Sequence, residues 1–129
     1  MRRFHPIDMQ HDTILSVSPD VRVLQVRERA MQAEGFVVTS VTSESAAMFE
    51  IEMGRCGVLV LCHLLREDAQ RSLSQHFRKY CSEGTVIGIV RPPNKPSSPD
   101  VDISVEYSTS AENLVVALLS DPELRELAS

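Results

Sequence analysis

The stretch Gly57–Asp68, GVLVLCHLLRED, decides the fold of this chain. Its four consecutive apolar residues, Val58–Leu61, are typical of a strand that is buried on both faces of a parallel sheet. The strand ends on Cys62 and His63, and a helix pattern begins near Glu67. In open α/β sheets, ligands and reactive groups lie at the carboxyl ends of the central strands. The first question is therefore what a thiol does at that position.

The chain is long enough to bury a core and fits a single domain, with 129 residues of which 43% are hydrophobic and 24% charged. The net charge of −5 argues against a nucleic-acid partner, which would require clustered surplus cations. No apolar run approaches the roughly 20 residues that span a bilayer, so we expect no membrane partner and a cytoplasmic location. We expect residues 1–12, MRRFHPIDMQHD, to be a poorly ordered segment and not a secretory signal.

The three cysteines Cys56, Cys62 and Cys81 form no C-x-x-C pair, and their number is odd. A disulfide framework or a zinc site is therefore not indicated. We interpret them as buried free thiols in a reducing compartment, and we expect no metal site.

Strand patterns alternate with helix patterns along the rest of the chain. The predicted strands are Thr13–Val17, Phe36–Val41, Val58–Leu61, Thr85–Val90 and Asp102–Tyr107. The first predicted helix has its N-cap at Ser18 and Pro19 in the first helical position, and it runs to Glu34. The second is ESAAMFEIEMG, which follows a cap at Thr42 or Ser43, and the third runs from Glu67 to Gly84. The fourth follows a cap at Ser110 and runs through Leu119, and SDPELRELAS adds a further turn. Between the last two strands, RPPNKPSSPD contains four of the seven prolines, which predicts a loop instead of a helix.

The apolar residues at helical spacing predict which helix faces are buried. These faces are Val23, Val26, Ala30 and Met31 in the first helix, Ala46, Met48, Phe49 and Met53 in the second, and Ala69, Leu73, Phe77, Tyr80 and Cys81 in the third. The alternation of strands and helices predicts an α/β fold with helices on both faces of a parallel sheet.

Five segments, taken together, are similar to the receiver domain of two-component response regulators. They are ILSVSPD, AEGFVVTSV, GVLVLCHLL, TVIGIV and STSAENLVVALL, within residues 13–119. The resemblance implies a flavodoxin-like (βα)5 three-layer sandwich over residues 13–129. Its five-stranded parallel sheet has the order 2-1-3-4-5, and helix 4 is missing or replaced by the Pro-rich loop.

The residues on which receivers depend are replaced at five positions of this sequence. Receivers transfer a phosphoryl group to an aspartate after strand three. Mg²⁺ is held by that aspartate and by acids after strand one, and a Thr/Ser and a Lys respond to the phosphoryl group. The corresponding positions here are Cys62 for the phosphoacceptor, Ser18 and Pro19 with Asp20 just beyond for the acids, Val90 for the Thr/Ser, and Tyr107 for the lysine. Because Mg²⁺ requires hard oxygen ligands, usually carboxylates, we expect neither a metal cofactor nor aspartyl-phosphate chemistry.

The resemblance favours a receiver-like domain that takes no phosphate, is not an enzyme and binds a protein partner, either a sensor kinase or an effector. The last helix carries surplus apolar residues, Val115, Val116 and Leu119. They pack against Leu124 and Leu127 or form a homodimer, and the sequence leaves both alternatives open.

Two other functions are compatible with the sequence. One is thiol chemistry or redox sensing by Cys62, with His63 or Tyr107 as its partner; adjacent strand residues point to opposite faces, so Cys62 and His63 need not meet. The other is small-molecule binding at the strand ends, although SPD stands where a Gly-rich phosphate loop would be.

Overall fold

The computed structural model describes residues 12–92 and 100–128. Five parallel strands form one sheet in the order β2-β1-β3-β4-β5, which confirms the predicted order. The strands are β1 (Thr13–Val17), β2 (Val37–Val41), β3 (Cys56–Leu61), β4 (Thr85–Val90) and β5 (Ile103–Glu106). Residues 1–11 of the N-terminal segment that we expected to be poorly ordered lie outside the described residues. Residues 93–99 of the predicted Pro-rich loop lie outside them as well.

Helices cover both faces of the sheet. They are α1 (Val21–Ala33), α2 (Glu44–Glu52), α3 (Glu67–Tyr80), α4 (Glu112–Ser120) and α5 (Pro122–Arg125). Alternation along the strands divides the core in two, because successive side chains point to opposite faces. Ile14 and Val60 pack with Leu118 on the side of α1, α4 and α5, whereas Leu15 and Leu61 pack with α2 and α3.

The two helices that border the carboxyl edge begin differently from the prediction. The N-cap of α1 is Asp20 and not Ser18, because its carboxylate accepts hydrogen bonds from the N–H groups of Arg22 at 2.9 Å and Val23 at 3.4 Å. Pro19 therefore precedes the helix. The N-cap position of α4 is Ala111, in the left-handed region at φ 62°, and not the predicted Ser110. The predicted Ser43 cap of α2 is confirmed.

The buried helix faces are rotated from the predicted ones. In α1, Met31 is buried as predicted, but Val26 is 42% exposed, and Leu24 and Arg27 are buried although they were not in the predicted face. In α2, Phe49 and Met53 are exposed while Ala47 and Ile51 are buried; in α3, Tyr80 is exposed, although Ala69, Leu73, Phe77 and Cys81 are buried as predicted. Moving an apolar stripe by one residue along the sequence rotates it by about 100° around the helix axis. The spacing of apolar residues was therefore compatible with more than one buried face and did not select between them. No helix of the described residues is long and apolar enough to cross a membrane.

Candidate functional site

The predicted pocket positions lie together at the carboxyl edge of the sheet, where backbone hydrogen bonds continue beyond the strands. The N–H of Cys62 donates to the carbonyl of Val17 at 3.2 Å, and the N–H of Tyr107 donates to the carbonyl of Val90 at 2.8 Å. Ser18 is held in the same way by β2, through a 3.2 Å bond from its N–H to a β2 carbonyl. Ser18 and Cys62 are fully buried, so the centre of the edge is closed to solvent.

The side chains at this edge do not form a magnesium site. The Asp20 carboxylate is committed to the N-terminus of α1, and the Ser18 hydroxyl accepts the Asp20 N–H at 3.1 Å. Cys62 offers sulfur, which is a poor ligand for Mg²⁺. Among residues 12–92 and 100–128, no three His, Cys, Asp or Glu side chains come together as metal ligands. The donor set therefore does not fit the cation that receivers hold.

Cys62 and His63 meet, contrary to the simple expectation from strand alternation. The Cys62 sulfur lies 3.7 Å from Nδ1 of His63, and it accepts a 3.5 Å hydrogen bond from the N–H of Leu64. The reason is that β3 ends at Leu61 and the chain turns, with the Leu65 N–H donating to the Cys62 carbonyl at 3.1 Å. The alternation of faces no longer applies within such a turn.

An aromatic and cationic cluster surrounds this turn. The rings of His63 and Tyr107 have centroids 4.6 Å apart at a tilt of 53°, and the Arg91 guanidinium lies 5.8 Å from the centroid of the Tyr107 ring. Burial, together with the positive charges of Arg27 and Arg91, lowers the pKa of His63 below its ordinary value. The imidazole is therefore neutral at pH 7.

Arg27 is the functional candidate that the sequence reasoning missed. Its side chain is only 3% exposed, and within the described part of the chain Nη1 and Nη2 have no hydrogen-bond partner. The signal available in the sequence was its place between Leu24 and Met31, at spacings of three and four residues, which is a core stripe. Arg27 also lies four residues from both Val23 and Met31 of the predicted stripe, but that prediction counted apolar residues alone and so did not include it.

A cavity of about 200 Å³ opens beside Arg27, between α1 and the turn that joins β5 to α4. Arg22, Arg27, Tyr107 and Ser108 contribute to its lining. Tyr107, which was predicted to replace the receiver lysine, thus belongs both to the carboxyl edge and to this cavity.

The three interface candidates of the last helix lie in different surroundings. Val116 is 54% exposed, whereas Val115 and Leu119 pack against the core cluster that contains Leu124 and Leu127. For Val115 and Leu119 the structure therefore shows the first of the two alternatives, packing within the chain.

Comparisons with known proteins agree on the fold. No protein-family model and no curated protein matches the sequence. Among solved structures, a CheY-like response regulator receiver domain protein from Methanospirillum hungatei JF-1 is similar with a TM-score of 0.74 and 15% identity, over 91% of this chain and 96% of that one. The response regulator TrrA from Thermotoga maritima, solved in complex with Mg²⁺–BeF, is similar with a TM-score of 0.70 and 16% identity, over 84% of this chain and 96% of that one. A complex of TrrA with the histidine kinase ThkA is similar with a TM-score of 0.67 and 16% identity, over 91% of this chain and 98% of that one. The chain therefore has the fold of response regulator receiver domains.

Proposed function

We propose that residues 13–129 form a receiver-like domain that is not phosphorylated and that acts in the cytoplasm by binding another protein of a bacterial two-component-type pathway. The observation that carries this proposal is Cys62, a fully buried thiol after β3, at the position where receivers carry the phosphoacceptor aspartate. The receiver fold supports the pathway, and the side chains at the carboxyl edge support the loss of phosphorylation.

Phosphoryl transfer depends on positive charge placed where negative charge develops. In receivers, Mg²⁺ and a lysine supply that charge. Here the lysine position is Tyr107, whose phenol is neutral, and the nearest acid, Asp20, caps α1. Each missing group removes a separate part of the reaction, so we expect that no single substitution restores it.

Binding to another protein is the function that remains for a receiver-like domain that is not phosphorylated. The TrrA structure with the histidine kinase ThkA supports a sensor kinase as one class of partner, and an effector is the other. We assign Val116, an exposed apolar residue of α4, to a contact surface. A homodimer through this helix stays a prediction.

Phosphorylation is tested with acetyl phosphate and Mg²⁺, followed by intact-mass measurement. We expect no covalent phosphate on the wild type. In parallel, beryllofluoride is titrated with and without Mg²⁺ while the amide resonances of Ser18, Cys62 and Tyr107 are followed by NMR. Saturable shifts that require Mg²⁺ would contradict the proposal. The control variant Cys62→Asp should remain unphosphorylated, because the second acid and the lysine are also absent.

A second candidate function, thiol chemistry at Cys62, is favoured by the 3.7 Å contact between its sulfur and Nδ1 of His63. A reactive cysteine also needs access to its substrate, and Cys62 is fully buried. Iodoacetamide labelling at pH 7, with peptide mapping of the three cysteines, separates the two functions. We expect slow labelling of Cys62 until the protein is unfolded. Rapid and selective labelling of Cys62 that is lost in His63→Gln would favour the thiol function.

A further inference from the structure

Helix α1 carries a buried guanidinium group, that of Arg27, whose terminal nitrogens have no hydrogen-bond partner among the described residues. Arg27 is 3% exposed, and across the described residues neither Nη1 nor Nη2 finds an acceptor. Burying a charge without a partner is strongly unfavourable, and native proteins rarely retain one unless another group satisfies it. Within the described residues, the unpartnered nitrogens are therefore donors that a bound molecule can satisfy.

Two carboxylates of the same helix region, those of Glu28 and Asp20, are engaged elsewhere. Glu28, the next residue of α1, accepts a 2.8 Å hydrogen bond from the hydroxyl of Ser40 on β2. Asp20, at the start of the same helix, is occupied by the backbone N–H groups of its first turn. Arg27 is thus left facing the sheet while both acids serve other contacts.

The space beside Arg27 is suited to a small anion. The cavity of about 200 Å³ is bordered by a second guanidinium from Arg22, by the Tyr107 ring and by the hydroxyl-bearing residues Ser108 and Thr109. This volume is below that of a typical pocket for a drug-sized ligand, roughly 300–1,000 Å³, so it suits a charged group with a short organic part. Tyr107, which lines the cavity, also contacts the His63 ring.

The charge at this end of the molecule contrasts with that of the chain as a whole. The protein carries a net charge of −5, yet Arg22, Arg27 and Arg91 all border Tyr107 or the cavity next to it. Two of these guanidiniums also act electrostatically on His63. A local excess of positive charge in a partly enclosed space concentrates anions there.

From these observations we propose that the cavity between α1 and the β5–α4 turn binds a small molecule through its phosphate or carboxylate group, with the Arg27 guanidinium as the main contact. A guanidinium presents two parallel N–H donors, which match the oxygens of either group. The apolar residues Val23 and Val26, which also line the cavity, border the uncharged part of the ligand. This site is independent of phosphorylation, since it uses neither Cys62 nor a metal ion.

The test is an NMR titration of the full chain, without Mg²⁺ and at constant ionic strength, with sodium phosphate, sodium acetate and sodium chloride in separate arms. We expect saturable shifts at the amides of Arg27, Tyr107 and Ser108 with phosphate, with acetate or with both, and none with chloride. The arm that saturates at lower concentration identifies the group that the site prefers. Saturation in neither the phosphate nor the acetate arm would overturn the proposal.

Two variants and one control assign the binding to Arg27. Arg27→Met should weaken binding at least tenfold, since a charge-assisted hydrogen bond is lost. Arg29→Met makes the same change on the exposed face of α1 and should leave the affinity within twofold of wild type. Arg27→Lys keeps the positive charge but lacks the two parallel N–H donors of the guanidinium, so this variant should bind the anion with intermediate affinity. It also remains informative if Arg27→Met fails to fold. Equal affinity of wild type and the Arg27 variants would overturn the proposal, whatever the outcome of the phosphorylation experiment with Mg²⁺.

Discussion

Replacing Arg27 by methionine should stabilise the protein in the absence of an anion. Two guanidinium nitrogens are buried without a partner among the residues that the structure describes, and each unsatisfied buried donor costs about 1–3 kcal/mol. Methionine keeps an unbranched stem of similar length and removes the charge. Exchanging buried ionic groups for apolar ones is neutral or stabilising by up to about 4 kcal/mol, so we expect a gain of about 2 kcal/mol.

The gain is measured by urea unfolding in phosphate-free buffer. It should appear as a higher midpoint at an unchanged m-value, and as a rise in Tm of about 8 °C, taking about 4 °C per kcal/mol for a domain of this size. The matched control Arg29→Met changes an exposed residue of the same helix and should stay within about 0.5 kcal/mol of wild type.

A loss of about 3–5 kcal/mol in Arg27→Met would refute this reasoning. Such a loss is the usual result of removing one member of a buried ion pair. It would show that the folded protein itself supplies a partner for Arg27, and the cavity would then have no unpaired donor to offer to a ligand.

Three further predictions concern pH, packing and association. The pKa of His63 is lowered in the folded protein, so between the unfolded and folded pKa values the unfolded chain binds more protons at this residue than the folded protein does. The free energy of unfolding should therefore fall as pH drops from 7 toward the folded-state pKa, and His63→Gln should flatten this dependence in urea titrations. An NMR titration that gives His63 a pKa at or above 6.5 would contradict it. Gly84→Ala places a methyl group 2.4 Å from Cζ of Phe77 and 2.9 Å from the Gly57 carbonyl oxygen, so it should destabilise the protein by about 1–3 kcal/mol, and by less in a Phe77→Leu background. An undiminished loss in the double variant would exclude the clash with Phe77. If the last helix forms a homodimer, Val116→Glu should shift sedimentation to the monomer with Tm nearly unchanged, because Val116 is exposed; a monomeric wild type would end this prediction.

Much of the architecture was predictable because its determinants are local. The apolar runs of β3 and β4 are too continuous for a surface element, and they identify a sheet that is covered on both faces. Gly35 and Gly54 end the first two helices with positive φ, as expected of glycine after a helix. The strand order followed from the resemblance to receivers, and the sheet has that order.

The candidate site was predictable only in part. Positions such as Cys62 and Tyr107 were found because each directly follows a strand, and strand ends of a parallel sheet meet at one edge. Which side chains touch at that edge was not evident. The contact between Cys62 and His63 depends on the turn after β3, and that between His63 and Tyr107 joins residues from distant parts of the chain.

The sequence by itself determined the order of strands and helices and the thiol after β3. Only the tertiary structure decided that Arg27 is buried in the face that α1 packs inward and that it lines a cavity beside the β5–α4 turn. The physical reason is that a helix with two overlapping apolar stripes can pack on either one. The choice depends on the shape of the sheet and of α4 beneath it, which local periodicity does not encode.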